Sequence, residues 1–181
     1  MHLLFVSANS ANAYMDIERE HRTLQQLVES SGHALRALPA AEIEDVCDAL
    51  RSTGKDQGYD VLHFSGHITA EEGLHLRGSG RRTDTLGGEA LKKALRGSDI
   101  KLVVLNACNS GALATSIADV VPAVIGTNHA VRDVVARQFT RNFYSALIEE
   151  STVIEAFQIA LKKGKQGNPA YMHAGEDVAI G

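Results

Sequence analysis

Cys108 follows the apolar run Leu102-Val103-Val104-Leu105 and the pair Asn106-Ala107, and it precedes Asn109-Ser110-Gly111. A run of branched residues reads as a strand buried on both faces, so the thiol falls where a strand bends into the next helix. A cysteine attacks as its thiolate. The N–H groups at a helix start favour that anion and can hold a developing oxyanion. Two imidazoles occupy comparable places: His67, after the strand-like run 59–64 and Ser65-Gly66, and His129, in the loop 126–133. A histidine within hydrogen-bonding distance of the thiol can take its proton and later protonate a leaving group. Each feature has a plainer alternative. A free cysteine is often a packed apolar filler, and a strand-end histidine can simply bond a backbone carbonyl. His63 shares a strand face with Val61 and reads as a core histidine, while Cys47 sits on an apolar helix face and reads as packing.

The elements that must position these groups are legible from periodicity. Residues 3–6 predict a strand, and Ile17, Leu24, Leu27 and Val28 predict a helix that Asp16 could cap and that ends near Gly32. A strand over 33–38 stops at Pro39, and Ile43, Val46, Cys47 and Leu50 share a helical face. After the strand 59–64 come a short hairpin arm at 73–76 and a polar stretch over 77–85. A helix carrying Leu91, Ala94 and Leu95 precedes the strand 101–105. A helix over 112–119, a strand over 120–125, two amphipathic helices and a short strand at 171–173 complete the chain. The alternation predicts an α/β sandwich with a mostly parallel sheet, as one domain over 1–181. In such a sheet ligands bind beyond the carboxyl ends of the strands, which is where His67, Cys108 and His129 are expected.

Composition narrows the partners. The 181 residues are 44% hydrophobic and 22% charged, which excludes a disordered chain. Such a length buries roughly 70% of its unfolded surface without a metal or disulfide staple, and the chain has only two cysteines. With 18 Lys and Arg against 22 Asp and Glu, the formal charge is -4, so direct nucleic-acid binding is not expected. No apolar run approaches a membrane span, and the start lacks the basic lead of a signal peptide, so the expectation is a cytoplasmic protein with no membrane contact. No CxxC, HExxH or GxSxG motif is present, so neither a metal nor a serine nucleophile is expected.

The segment Asp60-Val61-Leu62-His63-Phe64-Ser65-Gly66-His67, followed by Val103-Val104-Leu105-Asn106-Ala107-Cys108-Asn109-Ser110-Gly111, resembles the CHAT family of caspase-like, separase-related cysteine proteases. The segments 3–9, 123–127, 131–133, 143–147 and 153–157 are similar to its other elements. The resemblance implies a caspase-like three-layer sandwich and a cysteine endopeptidase with a Cys108–His67 dyad, needing no cofactor. It implies an oxyanion site made by the backbone N–H groups of Cys108 and Ile68. Asp133 matches an aspartate that lines the first specificity pocket and favours arginine, although an aspartate there also suits a helix cap. His129 stands where many members have tryptophan, and Asn106 where metacaspases have aspartate, so both are taken as substrate-binding candidates. The partners the resemblance implies are a protein or peptide substrate and an activating subunit, and the role it implies is in prokaryotic antiviral defence. Two alternatives stay open. Ile68, where members commonly carry glycine, suits a catalytically inactive protein-binding scaffold. The element order also suits a flavodoxin-like ligand binder, with its ligand at the loop 7–12.

Overall fold

A computed structural model of the chain describes residues 1–9, 15–51, 58–69, 73–80, 82–149, 151–164 and 170–180. The elements are β1 (His2–Ala8), α1 (Ile17–Ser30), β2 (Ala34–Pro39), α2 (Ile43–Arg51), β3 (Val61–Gly66), β4 (Ile68–Thr69), β5 (Gly73–Arg77) and β6 (Thr83–Leu86). They continue as α3 (Gly88–Leu95), β7 (Leu102–Asn106), α4 (Gly111–Ile117), β8 (Ala123–Thr127), α5 (Asp133–Ile148), α6 (Val153–Lys163) and β9 (Tyr171–Gly175). The main sheet has the order β2-β1-β3-β7-β8-β9. Its first five strands are mutually parallel, and β9 closes the edge antiparallel to β8. The chain winds outward from β1 to β2 and then returns to β3, so the winding reverses between β1 and β3. That is the position where open α/β sheets leave a crevice.

Strand periodicity divides the core into two layers. Leu4 and Val6 of β1, Leu62 and Phe64 of β3, and Val103 and Leu105 of β7 pack with Val46, Leu50, Leu91, Leu95, Leu113 and Ile117 from α2, α3 and α4. The alternate residues Leu3, Phe5, Val61, Leu102 and Val104 pack with Ile17, Leu24, Val28, Phe139, Phe143 and Ala156 from α1, α5 and α6. Successive strand side chains point to opposite faces, so this division was written into the apolar runs. The resulting three layers are the sandwich expected.

The differences are local. Ile68–Thr69, Gly73–Arg77 and Thr83–Leu86 form a second, three-stranded antiparallel sheet, where a lone hairpin arm and a polar stretch were expected. In β6 only Leu86 is buried, so no apolar alternation announces the strand, and its pairing with β5 holds it. Pro39 ends β2 from within, on an edge strand where its missing N–H breaks no central ladder. The strand expected from residue 120 begins at Ala123. Residues 10–12 of the loop suggested for a flavodoxin-like ligand lie outside the described residues.

Gly66, the last residue of β3, tolerates no side chain. A Cβ there would lie 2.6 Å from the Phe64 ring and 2.9 Å from the Ala8 carbonyl oxygen. The second contact is backbone in the neighbouring strand and cannot swing aside. Gly66→Ala is therefore expected to cost about 1–3 kcal/mol through overpacking. Because His67 is the next residue, any cleavage activity should fall further than thermal stability does. Melting curves and turnover measured side by side check this.

Candidate active site

The site grows out of strand register. In the β3–β7 ladder His63 lies opposite Val104 and Ser65 opposite Asn106. Two residues beyond that last pair come His67 on one chain segment and Cys108 on the other. Residues 63 and 65 share a face with 104 and 106, the face covered by α1 and α5; beyond them the chain leaves the ladder, Cys108 lining a cavity on that face while His67 is not among the cavity's lining residues. Neighbouring strands are about 4.8 Å apart, and His67 and Cys108 each follow the end of one of two adjacent strands.

The turn that carries Cys108 is held firmly. Asn109 has φ +56, a left-handed conformation that asparagine accepts better than most residues. Ser110 is fully buried and donates its hydroxyl to the Leu105 carbonyl at 2.9 Å, while the Thr127 N–H donates to the same Oγ at 2.8 Å. The Thr127 hydroxyl donates to the Ala107 carbonyl at 2.5 Å. The β7–α4 turn is thereby fastened to β8 on both sides of the thiol. Cys108 is half-buried, and its Sγ accepts the Val131 N–H at 3.3 Å and lies 3.8 Å from the Val131 carbonyl.

Beside Cys108 opens a narrow cavity of about 30 Å³, space for a water or two. Asp16, Glu20, Asp133 and Arg137 contribute its charged lining, and Ser65 and Asn106 lie at its base. Asp16 occupies the position before α1 but makes no side-chain cap. Its carboxylate instead takes Arg19 Nε at 3.2 Å and Arg137 Nη1 at 3.3 Å. The Asp133 carboxylate accepts the Asp16 N–H at 3.2 Å. Asp133 is the first residue of α5 and not its cap, which is Arg132, so the capping role fails and the carboxylate lines the cavity.

Glu20 is the largest surprise. It is buried, yet it forms the centre of a polar network on the α1/α5 side of the sheet. Its Oε2 accepts the Ser65 hydroxyl at 2.6 Å; its Oε1 accepts the Thr140 hydroxyl at 2.7 Å and the Asn106 amide, and lies 3.1 Å from His63 Nε2. The other ring nitrogen of His63 meets the Tyr144 hydroxyl at 3.0 Å, and the Tyr171 hydroxyl donates to Asn106 Oδ1 at 2.6 Å. Burial pushes the Glu20 carboxyl up, but the hydrogen bond and attraction of His63, then the Ser65 and Thr140 hydroxyls, outweigh it and hold it below the usual value. Burial, then the Glu20 charge and Cys108, push the Tyr171 phenol well above its usual range, so it stays a neutral donor. His63 is fully buried and bonded, as a core histidine should be.

The remaining candidates are distributed unevenly. Asn106 reaches the cavity base, but its side chain is engaged by Glu20, Thr140 and Tyr171. His129 is exposed and does not line the cavity; its carbonyl faces the Asn109 N–H at 3.5 Å. Ile68 buries its side chain beside the core and avoids the left-handed torsions that its glycine counterpart could suggest. Since the His75 N–H donates to the His67 carbonyl, ladder alternation turns the Ile68 N–H away from β5. Glu20 and Asp16 escape a reading for catalytic motifs. The one available signal for Glu20 is its place at helical spacing between Ile17 and Leu24, a carboxylate inside an apolar stripe.

A mostly parallel six-stranded sheet between two helical layers is a three-layer α/β sandwich, and its likenesses are to caspase-like folds. The chain superposes on the crystal structure of the Arg specific cysteine proteinase gingipain R with a TM-score of 0.69 and 14% identity, over 99% of this chain and 47% of that one. On the Drosophila initiator caspase Dronc the TM-score is 0.63 with 8% identity, over 98% of this chain and 82% of the other. In sequence it is 23% identical, over 190 residues, to a protein of Gillisia limnaea described as a probable protease, covering 98% of this chain and 30% of that protein. The chain thus spans less than a third of that relative's length. The CHAT domain family pattern matches residues 7–169, and the chain belongs to the CHAT domain family.

Proposed function

We propose that the chain is a cysteine endopeptidase that cleaves a protein partner after a basic residue. The observation that carries this is the juxtaposition of Cys108 with a cavity lined by three carboxylates, those of Asp16, Glu20 and Asp133. Asp16 is matched by two arginines, and Glu20 is satisfied by its network. Asp133 accepts only a backbone N–H in the described structure, and it is the carboxylate left to meet a guanidinium or ammonium. The kinship with a probable protease and the likeness to an Arg specific proteinase fit this reading.

In the proposed reaction His67 takes the Cys108 thiol proton and the thiolate attacks the carbonyl carbon of the scissile bond. The N–H groups of Cys108 and Ile68 hold the oxyanion. The amine leaves with the proton from His67, and water, activated by the same imidazole, hydrolyses the acyl-enzyme. No step requires a metal or a cofactor. The cavity holds a water or two, less than an arginine side chain needs, so the proposal includes a widening of the cavity as substrate enters. A regulatory partner that drives this widening is part of the proposal, as is a role in prokaryotic defence, where cleavage would be triggered. Among the described residues no helix is long and apolar enough to cross a membrane.

A peptide-library cleavage profile tests the reading. Cutting after Arg or Lys is expected, and Asp133→Asn should reduce that preference roughly ten- to hundredfold, the scale of one lost charge-assisted contact. Cutting after acidic residues would contradict the assignment of Asp133. The absence of cleavage, even with a thiol-reactive peptide probe, would favour the inactive scaffold.

A further inference from the structure

A second concave surface lies beside the cavity, between α1 and α5. On α5, Val134, Arg137, Gln138, Arg141 and Asn142 recur at helical spacing and form one face, and Arg19, Arg22 and Thr23 do the same on α1. Where the two helices meet, these faces enclose a groove of about 630 Å³. Four of its lining residues are arginines and none is a carboxylate. The chain as a whole carries a formal charge of -4, so this concentration of positive charge runs against its composition.

The internal partners do not neutralise it. Asp16 serves Arg19 and Arg137 together. Arg22 and Arg141 are exposed and make no ion pair among the described residues. The Asn142 side-chain N–H₂, in the same groove, is buried and lacks a hydrogen-bond partner among the described residues. A buried donor left unbonded is costly, and here it stands among guanidinium groups that are themselves donors only. The lining offers the hydroxyl and amide oxygens of Thr23, Gln138 and Asn142 but no negative charge, and what would complete it is an anionic group. Val134, at 56% exposure, is a large hydrophobic side chain left open to solvent in the same lining.

We infer that this groove is a docking site for an acidic segment of a protein partner, rich in Asp or Glu with an apolar residue alongside. Carboxylates would pair with Arg22 and Arg141 in fork geometry, and the apolar residue would cover Val134. A nucleic acid fits less well, because the lining has no aromatic ring for base stacking and the net negative charge repels a long polyanion. Arg137 lines both the groove and the cavity at Cys108, so an acidic segment seated here lies next to the site of the proposed chemistry. The docking site itself does not depend on that chemistry.

Fluorescence anisotropy with a short labelled peptide of alternating Glu and Gly tests it on the whole chain. The controls are the Lys-Gly counterpart and a single-stranded oligonucleotide of equal negative charge. The Glu peptide should bind, more weakly as salt rises, and the Lys peptide should not. The double variant R22E/R141E should weaken binding at least about tenfold, and R22Q/R141Q by an intermediate amount. Both positions are exposed, so melting curves of the variants should match the wild type. Absence of Glu-peptide binding at low salt, binding unchanged in R22E/R141E, or tighter binding of the oligonucleotide would each overturn the inference.

Discussion

Replacing Cys108 with alanine is expected to reduce peptide cleavage by roughly 10⁵–10⁶-fold, the scale seen when a covalent nucleophile is removed. The substitution deletes one half-buried sulfur and its contacts with the Val131 backbone, while the Ser110 and Thr127 bonds that hold the turn remain. The fold should therefore survive, and loss of activity without loss of stability is the diagnostic pair. His67→Ala should cost nearly as much, and the double variant little more than either alone, because the proposed dyad acts as one unit. Single-turnover cleavage assays beside thermal melts decide the matter. Cleavage that persists in both single variants would refute the dyad.

The second large effect is on stability. Glu20→Ala removes the acceptor shared by Ser65, Thr140, Asn106 and His63 and leaves those buried groups without it. Breaking a buried network of this kind costs about 3–5 kcal/mol, or roughly 6–20 °C in Tm for a chain of this size. Glu20→Gln should cost less than Ala but remain harmful, since its N–H₂ would face donors. The wild type should also carry an acid signature. The folded-state value of the Glu20 carboxyl lies below its ordinary one, so its contribution is complete above the ordinary carboxylate range and is lost as pH falls through the lower, folded value. Chemical denaturation from neutral to acid pH should show wild-type stability falling more steeply than that of Glu20→Gln. Equal slopes would remove Glu20 from this role.

The order of strands and helices, the two-layered core and the location of Cys108 and His67 at strand ends are consequences of local pattern. The short apolar run 102–105, with β-branched Val103 and Val104, suits a strand buried on both faces, and alternation along β1, β3 and β7 assigns each residue to a face. Whole elements with little apolar pattern stayed hidden, as in β6, where Thr83-Asp84-Thr85 is polar and the strand exists because β5 pairs with it. What surrounds the thiol belongs to the tertiary structure. Glu20 lies 45 residues from Ser65, 86 from Asn106 and 120 from Thr140 along the chain, yet it bonds all three. Periodicity shows that Glu20 lies on the stripe of α1 facing inward, but it does not show which strands and which helix that stripe will meet. Helical spacing likewise aligns Arg137 with Arg141 on α5, and only the packing of α1 beside α5 joins them to Arg19 and Arg22. Local sequence fixes which way a side chain points; the packing of distant elements decides what it points at, and the chemistry of this site depends on the second.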